Sequence, residues 1–286
     1  MSGYARTRDG RRLHYVTSGA GEPVVVLEAG LGATRTEWAL VTPIVATRTA
    51  VLAYDRAGLG LSEPDRARRD HVRMAGDLLD LLRETGPCVL VGHSLGGALV
   101  ERFARLHPER VAGLVLVDPS VPLEDVTLPR SPAYALARLL QPVGDALEAA
   151  GHLLRLATGR PTADTLRLAA YLPPDLRDQT LAELSARSAL RATRAESAAQ
   201  QRSLHELHEL RGTAALPDVP ITVITAGVRP AGYAELWASL ADSHRGLVAG
   251  SPLGRHVVAD GAGHLVPQDR PDLVAEEILR VVRRAA

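Results

Sequence analysis

Short apolar runs alternate along the chain with longer stretches in which apolar residues recur every three or four positions. Six runs are nearly continuous in apolar residues, as strands covered on both faces of a sheet must be: VVVLEAG, TAVLAYD, CVLVGHS, GLVLVDP, ITVITAG and RHVVADG. Residues 1–20 alternate between polar and apolar positions, and Asp9-Gly10 within them predicts a hairpin turn. Strands alternating with helices predict βαβ units and a mainly parallel sheet.

Three stretches predict helices that pack on this sheet. The first begins at Asp70 as a cap and stops at Gly86, and its apolar stripe comprises Val72, Ala75, Leu78, Leu79 and Leu82. The second runs from Ala98 to His107, and the third covers RPDLVAEEILRVV near the end of the chain. Ligand sites in such sheets lie beyond the carboxyl ends of the strands.

Residues 121–216 break this rhythm, because no strand pattern occurs there. Leucines recur at helical spacing, and they predict three to five helices inserted between two parts of a core, 1–120 and 217–286. The insertion directly follows LVLVDP, so we expect it to lie over the strand ends as a lid. The alternative interpretation is a helical subdomain with no lid role.

Composition narrows the class of protein. The chain has 286 residues, of which 46% are hydrophobic, and this suits one large domain or a domain with a sizeable insertion. The formal net charge is zero with the two signs interspersed, which predicts neither a nucleic-acid surface nor a polybasic membrane anchor. No secretory signal or spanning apolar segment is evident, so we expect a cytoplasmic protein. Cys88 lies in an apolar run and is expected to be a core residue.

The segment Gly92-His93-Ser94-Leu95-Gly96 fits the pattern G-x-S-x-G between a predicted strand and a predicted helix. A turn this tight strains the backbone, and the flanking glycines Gly92 and Gly96 avoid clashes that bulkier residues would cause. The Ser94 hydroxyl is then free at the edge of the sheet. The Leu95 N–H and the helix N-terminus can stabilise a negatively charged oxygen beside it. A serine hydroxyl also needs a neighbouring base to act as a nucleophile.

The whole chain resembles the α/β-hydrolase superfamily, on the ordered motifs YDRAGLGLSEP, GHSLGG, PERVAGLVLVDP and GAGH. The resemblance implies an α/β fold with a mostly parallel eight-stranded sheet, helices on both faces and a helical cap insertion. It also implies that His264, in the loop after the last strand, is the base. His93 is expected to pack beside the turn. His205 and His208 do not have the spacing of an HExxH zinc motif.

The resemblance leaves two positions for the acid that orients His264. The family usually carries it in the loop after the penultimate strand, but here that loop, ITAGVRPAGYAEL, offers only Glu235, already within a predicted helix. The other position is Asp118 in LVLVDPS, which keeps the chain order serine, acid, histidine. We favour Asp118 and keep Glu235 as the alternative.

The resemblance places a second oxyanion donor in the loop after the first parallel strand. The Leu31 N–H takes this role and Gly30 permits the turn, while Ala29 replaces a histidine that is common there. Glu28 and Trp38 are expected to support the loop in its place. Asp55 and Arg56 are expected to form a structural ion pair.

For function, the resemblance implies acyl transfer through Ser94 without a metal or an organic cofactor. Serine at the turn disfavours epoxide hydrolases and haloalkane dehalogenases of this fold, which use aspartate there. Residues 121–216 hold eleven arginines and eleven acids, and their only aromatics are Tyr134 and Tyr171. This composition predicts a mostly aliphatic pocket for a small or medium apolar ester or thioester. The alternatives are a cyclase, lyase or acyltransferase using the same residues, or a ligand receptor without enzymatic activity; the oligomeric state stays open.

Overall fold

Eight strands form one sheet in the order β1-β2-β4-β3-β5-β6-β7-β8. The computed structural model describes residues 1–127, 163–228 and 234–285. The first two strands pair antiparallel with each other, β2 pairs antiparallel with β4, and the remaining pairs are parallel. The strands are β1 (Ser2–Arg6), β2 (Arg12–Ser18), β3 (Val25–Glu28), β4 (Val51–Tyr54), β5 (Cys88–His93), β6 (Val111–Val117), β7 (Ile221–Ala226) and β8 (Gly254–Ala259). The predicted α/β-hydrolase architecture, a mostly parallel sheet with helices, is confirmed.

Helices cover both faces of the sheet, which explains why the central strands are apolar without alternation. Every residue of β3, β4, β5 and β7 is buried. One face packs against α1 and α9, and the other packs against α2 and α3. The helices are α1 (Thr42–Val45), α2 (His71–Leu81), α3 (Leu95–Leu106), α4 (Ala163–Ala170), α5 (Pro174–Ser185), α6 (Arg187–Arg211), α7 (Ala234–Gly246), α8 (Val266–Asp269) and α9 (Pro271–Ala285).

Helix α2 begins as predicted but ends earlier. The Asp70 side chain accepts a hydrogen bond from the Arg73 N–H at 2.9 Å, so the predicted cap is confirmed. The helix ends at Leu81 rather than near Gly86, and Arg110 donates to the Leu82 and Thr85 carbonyl oxygens of the turn that follows. The predicted apolar stripe is wrong at Val72, which is 53% exposed. Met74, which is not part of the predicted stripe, is buried instead.

The described part of the predicted insertion is helical, with α4, α5 and α6 between β6 and β7. Helix α6 packs on the core at two places: Ala189 and Ala192 contact Leu59, and Leu204 and Leu207 contact Ala98. The first leucine series, from Leu136 to Leu154, and Tyr134 lie outside the described residues. Within the described ranges, no helix combines the length and the apolar character needed to cross a membrane.

Candidate active site

Ser94 lies between β5 and α3 with backbone angles φ 53° and ψ −121°, in a region that side chains rarely adopt. A Cβ atom at Gly92 would collide with the Gly96 carbonyl oxygen, and one at Gly96 would lie 2.5 Å from the Ala29 carbonyl oxygen. Both obstacles are backbone atoms, which cannot move without shifting a strand or a helix. The two glycines therefore allow β5 to turn into α3 within one residue and leave Ser94 at the carboxyl edge of the sheet.

The structure brings three of the predicted residues together at this edge. His264, in the loop after β8, places its Nε2 atom 3.0 Å from the Ser94 Oγ atom. Its Nδ1 atom lies 2.6 Å from the Oδ2 atom of Asp118, which directly follows β6. The other Asp118 oxygen accepts a hydrogen bond from the Ala226 N–H at 3.0 Å. The hydroxyl, the imidazole and the carboxylate thus form one continuous chain of hydrogen bonds.

The positions of the protons in this series of hydrogen bonds follow from the environment of Asp118, whose side chain is 7% exposed. Burial disfavours the carboxylate, but the hydrogen bond and the charge of His264, with the Ala226 N–H, outweigh it and hold the pKa of Asp118 below its ordinary value. An ionised Asp118 can only accept, so the Nδ1 atom of His264 carries a proton. The Nε2 atom of a neutral ring then presents its lone pair to the Ser94 hydroxyl.

Glu235, the alternative acid, occupies a different environment. It lies exposed in the first turn of α7 and lines an open pocket with Asp125, Thr127 and Asp242. The carboxylate against the His264 ring is that of Asp118.

His93 does more than pack beside the turn. Its Nε2 atom donates to the His264 backbone oxygen at 2.7 Å, and its Nδ1 atom lies 2.9 Å from Glu37 Oε1. Burial disfavours the charged form of His93, but the charge and hydrogen bond of the Glu37 carboxylate outweigh burial and raise the pKa of His93. In the same way, His93 and the Gly30 N–H outweigh the burial of Glu37 and lower the pKa of this carboxyl group. The hydrogen-bonded pair of His93 and Glu37 therefore fixes the backbone of His264.

The loop after β3 lies beside Ser94 and is held from several sides. A Cβ atom built at Gly30 would lie 3.5 Å from the Ser94 Cβ atom. The Gly30 N–H donates to Glu37 at 2.7 Å, and its carbonyl oxygen accepts from Arg56 at 2.7 Å. Among the described residues, no backbone or side-chain oxygen accepts from the N–H groups of Leu31 and Leu95. Both predicted donors are therefore without a protein acceptor in the described part of the chain.

The support of this loop differs in part from the expectation. Glu28 does take part, because its carboxylate accepts from Arg56 at 2.7 Å and from the Tyr54 hydroxyl. The predicted Asp55–Arg56 ion pair is wrong: Asp55 binds His14 and Arg35 instead. Both residues directly follow β4, and each side chain has partners on other elements.

Several of these contacts were not predicted from the sequence. Glu37 lies 56 residues from its partner His93 in the sequence. Glu196, whose carboxylate binds Arg56 from α6, lies 140 residues from that arginine. No local motif marks either residue. Within the described ranges, no group of three or more histidine, cysteine or acidic side chains is arranged to hold a metal ion.

Comparisons with known proteins match the chain to one family of sequences and to one fold. A family model described as "Alpha/beta hydrolase family" matches residues 24–277. A soluble epoxide hydrolase from Corynebacterium sp. (strain C12) is 36% identical over 112 residues, which are 38% of this chain and 39% of that protein. The chain spans less than half the length of the first curated relatives it matches.

Two solved structures share the fold along nearly their whole length. The epoxide hydrolase CorEH without ligand superposes with a TM-score of 0.71 at 21% identity, covering 98% of both chains. A thermophilic esterase from Thermogutta terrifontis superposes with a TM-score of 0.65 at 24% identity, covering 100% of this chain and 99% of that one. At these identities the likeness concerns the fold.

Proposed function

The chain belongs to the α/β-hydrolase family, and on that premise we propose that it is a serine hydrolase of small or medium, largely apolar carboxylic esters or thioesters. The observation that carries the proposal is the hydrogen-bonded series Ser94, His264 and Asp118, with distances of 3.0 and 2.6 Å. Nucleophile and base are within proton-transfer distance, and the base is oriented by a buried carboxylate.

The chemistry follows from this arrangement. His264 takes the hydroxyl proton as the Ser94 oxygen attacks the ester carbonyl, and the carbonyl oxygen becomes an oxyanion that the Leu31 and Leu95 N–H groups stabilise. Collapse of this intermediate breaks the ester bond, and His264 gives its proton to the departing alcohol. Water then attacks the acyl-serine, with His264 again accepting the proton. Collapse of this second intermediate releases the acid, and His264 returns the proton to the departing Ser94 oxygen. Asp118 stays ionised and stabilises the transient imidazolium.

Two of the similar proteins are named epoxide hydrolases, yet the residue at the turn favours ester cleavage here. In that class of the fold an aspartate stands at the turn and forms the covalent intermediate. Ser94 occupies this place, and an alkyl ether of serine would have no carbonyl for water to attack. The second solved structure, named an esterase, has the same overall fold.

We also propose that the segment 121–216, which the sequence predicts to be helical, is a cap over the site. Helix α6 runs past the carboxyl edge of the sheet, where Gln200 lies 3.5 Å from the Ser120 hydroxyl, and the Ser120 N–H donates to the Ser94 carbonyl oxygen. The predicted aliphatic character of the insertion supports an apolar acyl or alcohol group in the substrate. Tyr171, its one aromatic within the described ranges, directs its hydroxyl to Asp269 at 2.6 Å.

Labelling with a fluorophosphonate, followed by mass spectrometry, tests the assignment. We expect the label on Ser94, turnover of p-nitrophenyl acetate and butyrate, and a loss of at least about 10³-fold in kcat for Ser94→Ala. Ser197→Ala, which removes an exposed hydroxyl on α6, is the matched control and should keep both properties. Opening of styrene oxide by Ser94→Ala, or ester turnover that survives this substitution, would contradict the proposal.

A further inference from the structure

A carboxylate from the cap segment reaches the loop that carries the proposed Leu31 donor. Glu196 is 1% exposed on α6 and binds two arginines of the core. Its Oε1 atom lies 2.9 Å from Arg56 Nε and 2.6 Å from Arg69 Nη2. Its Oε2 atom accepts from Arg56 Nη2 at 2.9 Å and from the Gly32 N–H at 3.0 Å.

Arg56 transmits this contact to the loop. Its guanidinium donates to the carbonyl oxygens of Ala29 at 2.6 Å and Gly30 at 2.7 Å, and on its other side it pairs with Glu28. The guanidinium is planar, with its donors in a fixed fork, so the position set by Glu196 determines where the remaining N–H groups point. The two carbonyls are consequently held in one orientation.

The Gly30 carbonyl and the Leu31 N–H belong to the same peptide unit. In a planar trans peptide these two groups point in opposite directions. The bond from Arg56 to the Gly30 oxygen therefore turns the Leu31 N–H to the side of the loop away from Arg56. Rotation of this one peptide would remove the donor from the site without moving any side chain.

A second contact fixes the other side of Leu31. Gly32 has a φ of +64° and donates its N–H to Glu196, while Thr193 of the same helix packs so closely that a Cβ atom on Gly32 would lie 2.5 Å from its hydroxyl oxygen. Helix α6 thus touches the loop both through a charge and through a close steric contact.

The charge of Glu196 persists across the pH range in which esters are assayed. Burial disfavours its ionised form, but the charges and hydrogen bonds of Arg56 and Arg69 outweigh burial and lower the pKa of Glu196 to about 2. Removing the contact therefore requires a substitution.

We propose that Glu196 is a positioning residue: through Arg56 and the Gly32 N–H, it orients the Leu31 N–H for the oxyanion. The cap segment then has two roles, covering the site and completing one of its donors. This inference rests on the proposed serine hydrolase function.

Glu196→Gln and Glu196→Ala test the role, with Glu209→Gln as the matched control, because Glu209 lies on the same helix with its side chain 67% exposed. Loss of one oxyanion donor costs about 10²–10³ in kcat. Since the donor is misoriented rather than removed, we expect kcat to fall about 10- to 100-fold in Glu196→Ala, and less in Glu196→Gln. KM should stay within about threefold, because the interaction develops only in the transition state.

Two readouts separate orientation from folding. The affinity for an alkyl boronic acid, which forms a tetrahedral adduct with the serine, should fall in parallel with kcat, whereas binding of the product acid should not. Hydrogen exchange of residues 28–33 should accelerate in both Glu196 variants and not in Glu209→Gln. The segment keeps a second ion pair to the core, Arg35 to Glu183 at 2.8 Å, and Glu196→Gln retains the side-chain size if Glu196→Ala fails to fold.

The outcomes also separate this inference from the proposed function. Folded variants with the kcat, boronic acid affinity and exchange of the wild type would overturn the positioning role. If fluorophosphonate labels wild-type Ser94, that result leaves the hydrolase function intact. If wild-type Ser94 is not labelled, the proposed function itself fails, and the positioning role of Glu196 in that reaction fails with it. Faster hydrogen exchange in the Glu196 variants would then report only a structural contact with the loop.

Discussion

Replacing Asp118 by asparagine exchanges one oxygen for an NH₂ group and leaves the size of the side chain unchanged. The Asp118 Oδ1 atom accepts the Ala226 N–H at 3.0 Å, and the new amide oxygen can keep this bond. The NH₂ group then faces the His264 Nδ1 atom, which the wild-type Oδ2 atom contacts at 2.6 Å. Two donors cannot share a hydrogen bond, so the imidazole must place its proton on Nε2.

This change of tautomer removes the base. With Nε2 protonated, the ring presents a donor to the Ser94 hydroxyl and cannot accept its proton. The imidazolium of the transition state also loses a carboxylate that is 7% exposed and ionised in the wild type. A wrong tautomer in this arrangement lowers kcat about 10⁴-fold, equivalent to about 5 kcal/mol of transition-state stabilisation.

Steady-state hydrolysis of p-nitrophenyl butyrate measures this loss, with thermal unfolding as the check on the fold. Glu235→Gln is the matched control, because Glu235 is exposed on α7 and should tolerate the change within about twofold. An Asp118→Asn enzyme that is folded and within tenfold of the wild-type kcat would refute the reasoning. A large loss in Glu235→Gln instead would move the acid to α7.

Two further predictions concern stability and the turn. His71 is 1% exposed with neither ring nitrogen hydrogen-bonded among the described residues, and burial, with the charges of Arg102 and Arg56, lowers its pKa to about 4. The unfolded state therefore binds more protons between pH 6.5 and 4, so His71 should lower the free energy of unfolding by up to about 3 kcal/mol as the pH falls through this window. Urea titrations at several pH values should show that the free energy of unfolding falls less steeply with decreasing pH in His71→Phe than in the wild type. An equal dependence on pH in the two proteins would contradict this prediction. Gly92→Ala should abolish fluorophosphonate labelling of Ser94, because the new Cβ atom collides with the backbone of Gly96. Gly76→Ala in α2 is the control and should be labelled normally, because the space around Gly76 is open. Equal labelling of the two variants would contradict this steric explanation.

The sheet and its helices could be predicted because short-range patterns determine them, and the three residues that lie together at the candidate site were among those named from the sequence. Continuous apolar runs predict strands buried on both faces, and a serine between glycines at a strand–helix junction predicts the turn. The resemblance then indicated His264, and the absence of an aspartate in the penultimate loop directed attention to Asp118. The strand and turn predictions each depend on fewer than twenty consecutive residues, whereas His264 and Asp118 follow from the resemblance of the whole chain.

The errors arose where tertiary packing overrides a local pattern. Val72 belongs to an apolar stripe by spacing, but the sheet covers a neighbouring face of α2, and Val72 is 53% exposed. Asp55 and Arg56 are adjacent and opposite in charge, yet the chain direction at the end of β4 separates them, and each finds partners on other elements. Sequence proximity is a poor guide to ion pairs on extended segments.

The buried charges around Arg56 cannot be explained by stability alone. Replacing a buried cluster of ion pairs with packed apolar residues is often neutral or stabilising by about 1–4 kcal/mol, so folding does not require Glu28, Arg56 and Glu196 to be charged. An apolar side chain at Arg56, however, could not donate to the Ala29 and Gly30 carbonyls. The Ala29 carbonyl would then lose its donor, and the Gly30 carbonyl would keep only the Ala33 N–H at 3.1 Å. The Leu31 N–H, which belongs to the same peptide unit as the Gly30 carbonyl, would be held less firmly. On the proposed function, the need to hold this peptide in one orientation gives a functional reason for the charge cluster, and it joins the proposed cap segment to the chemistry of Ser94.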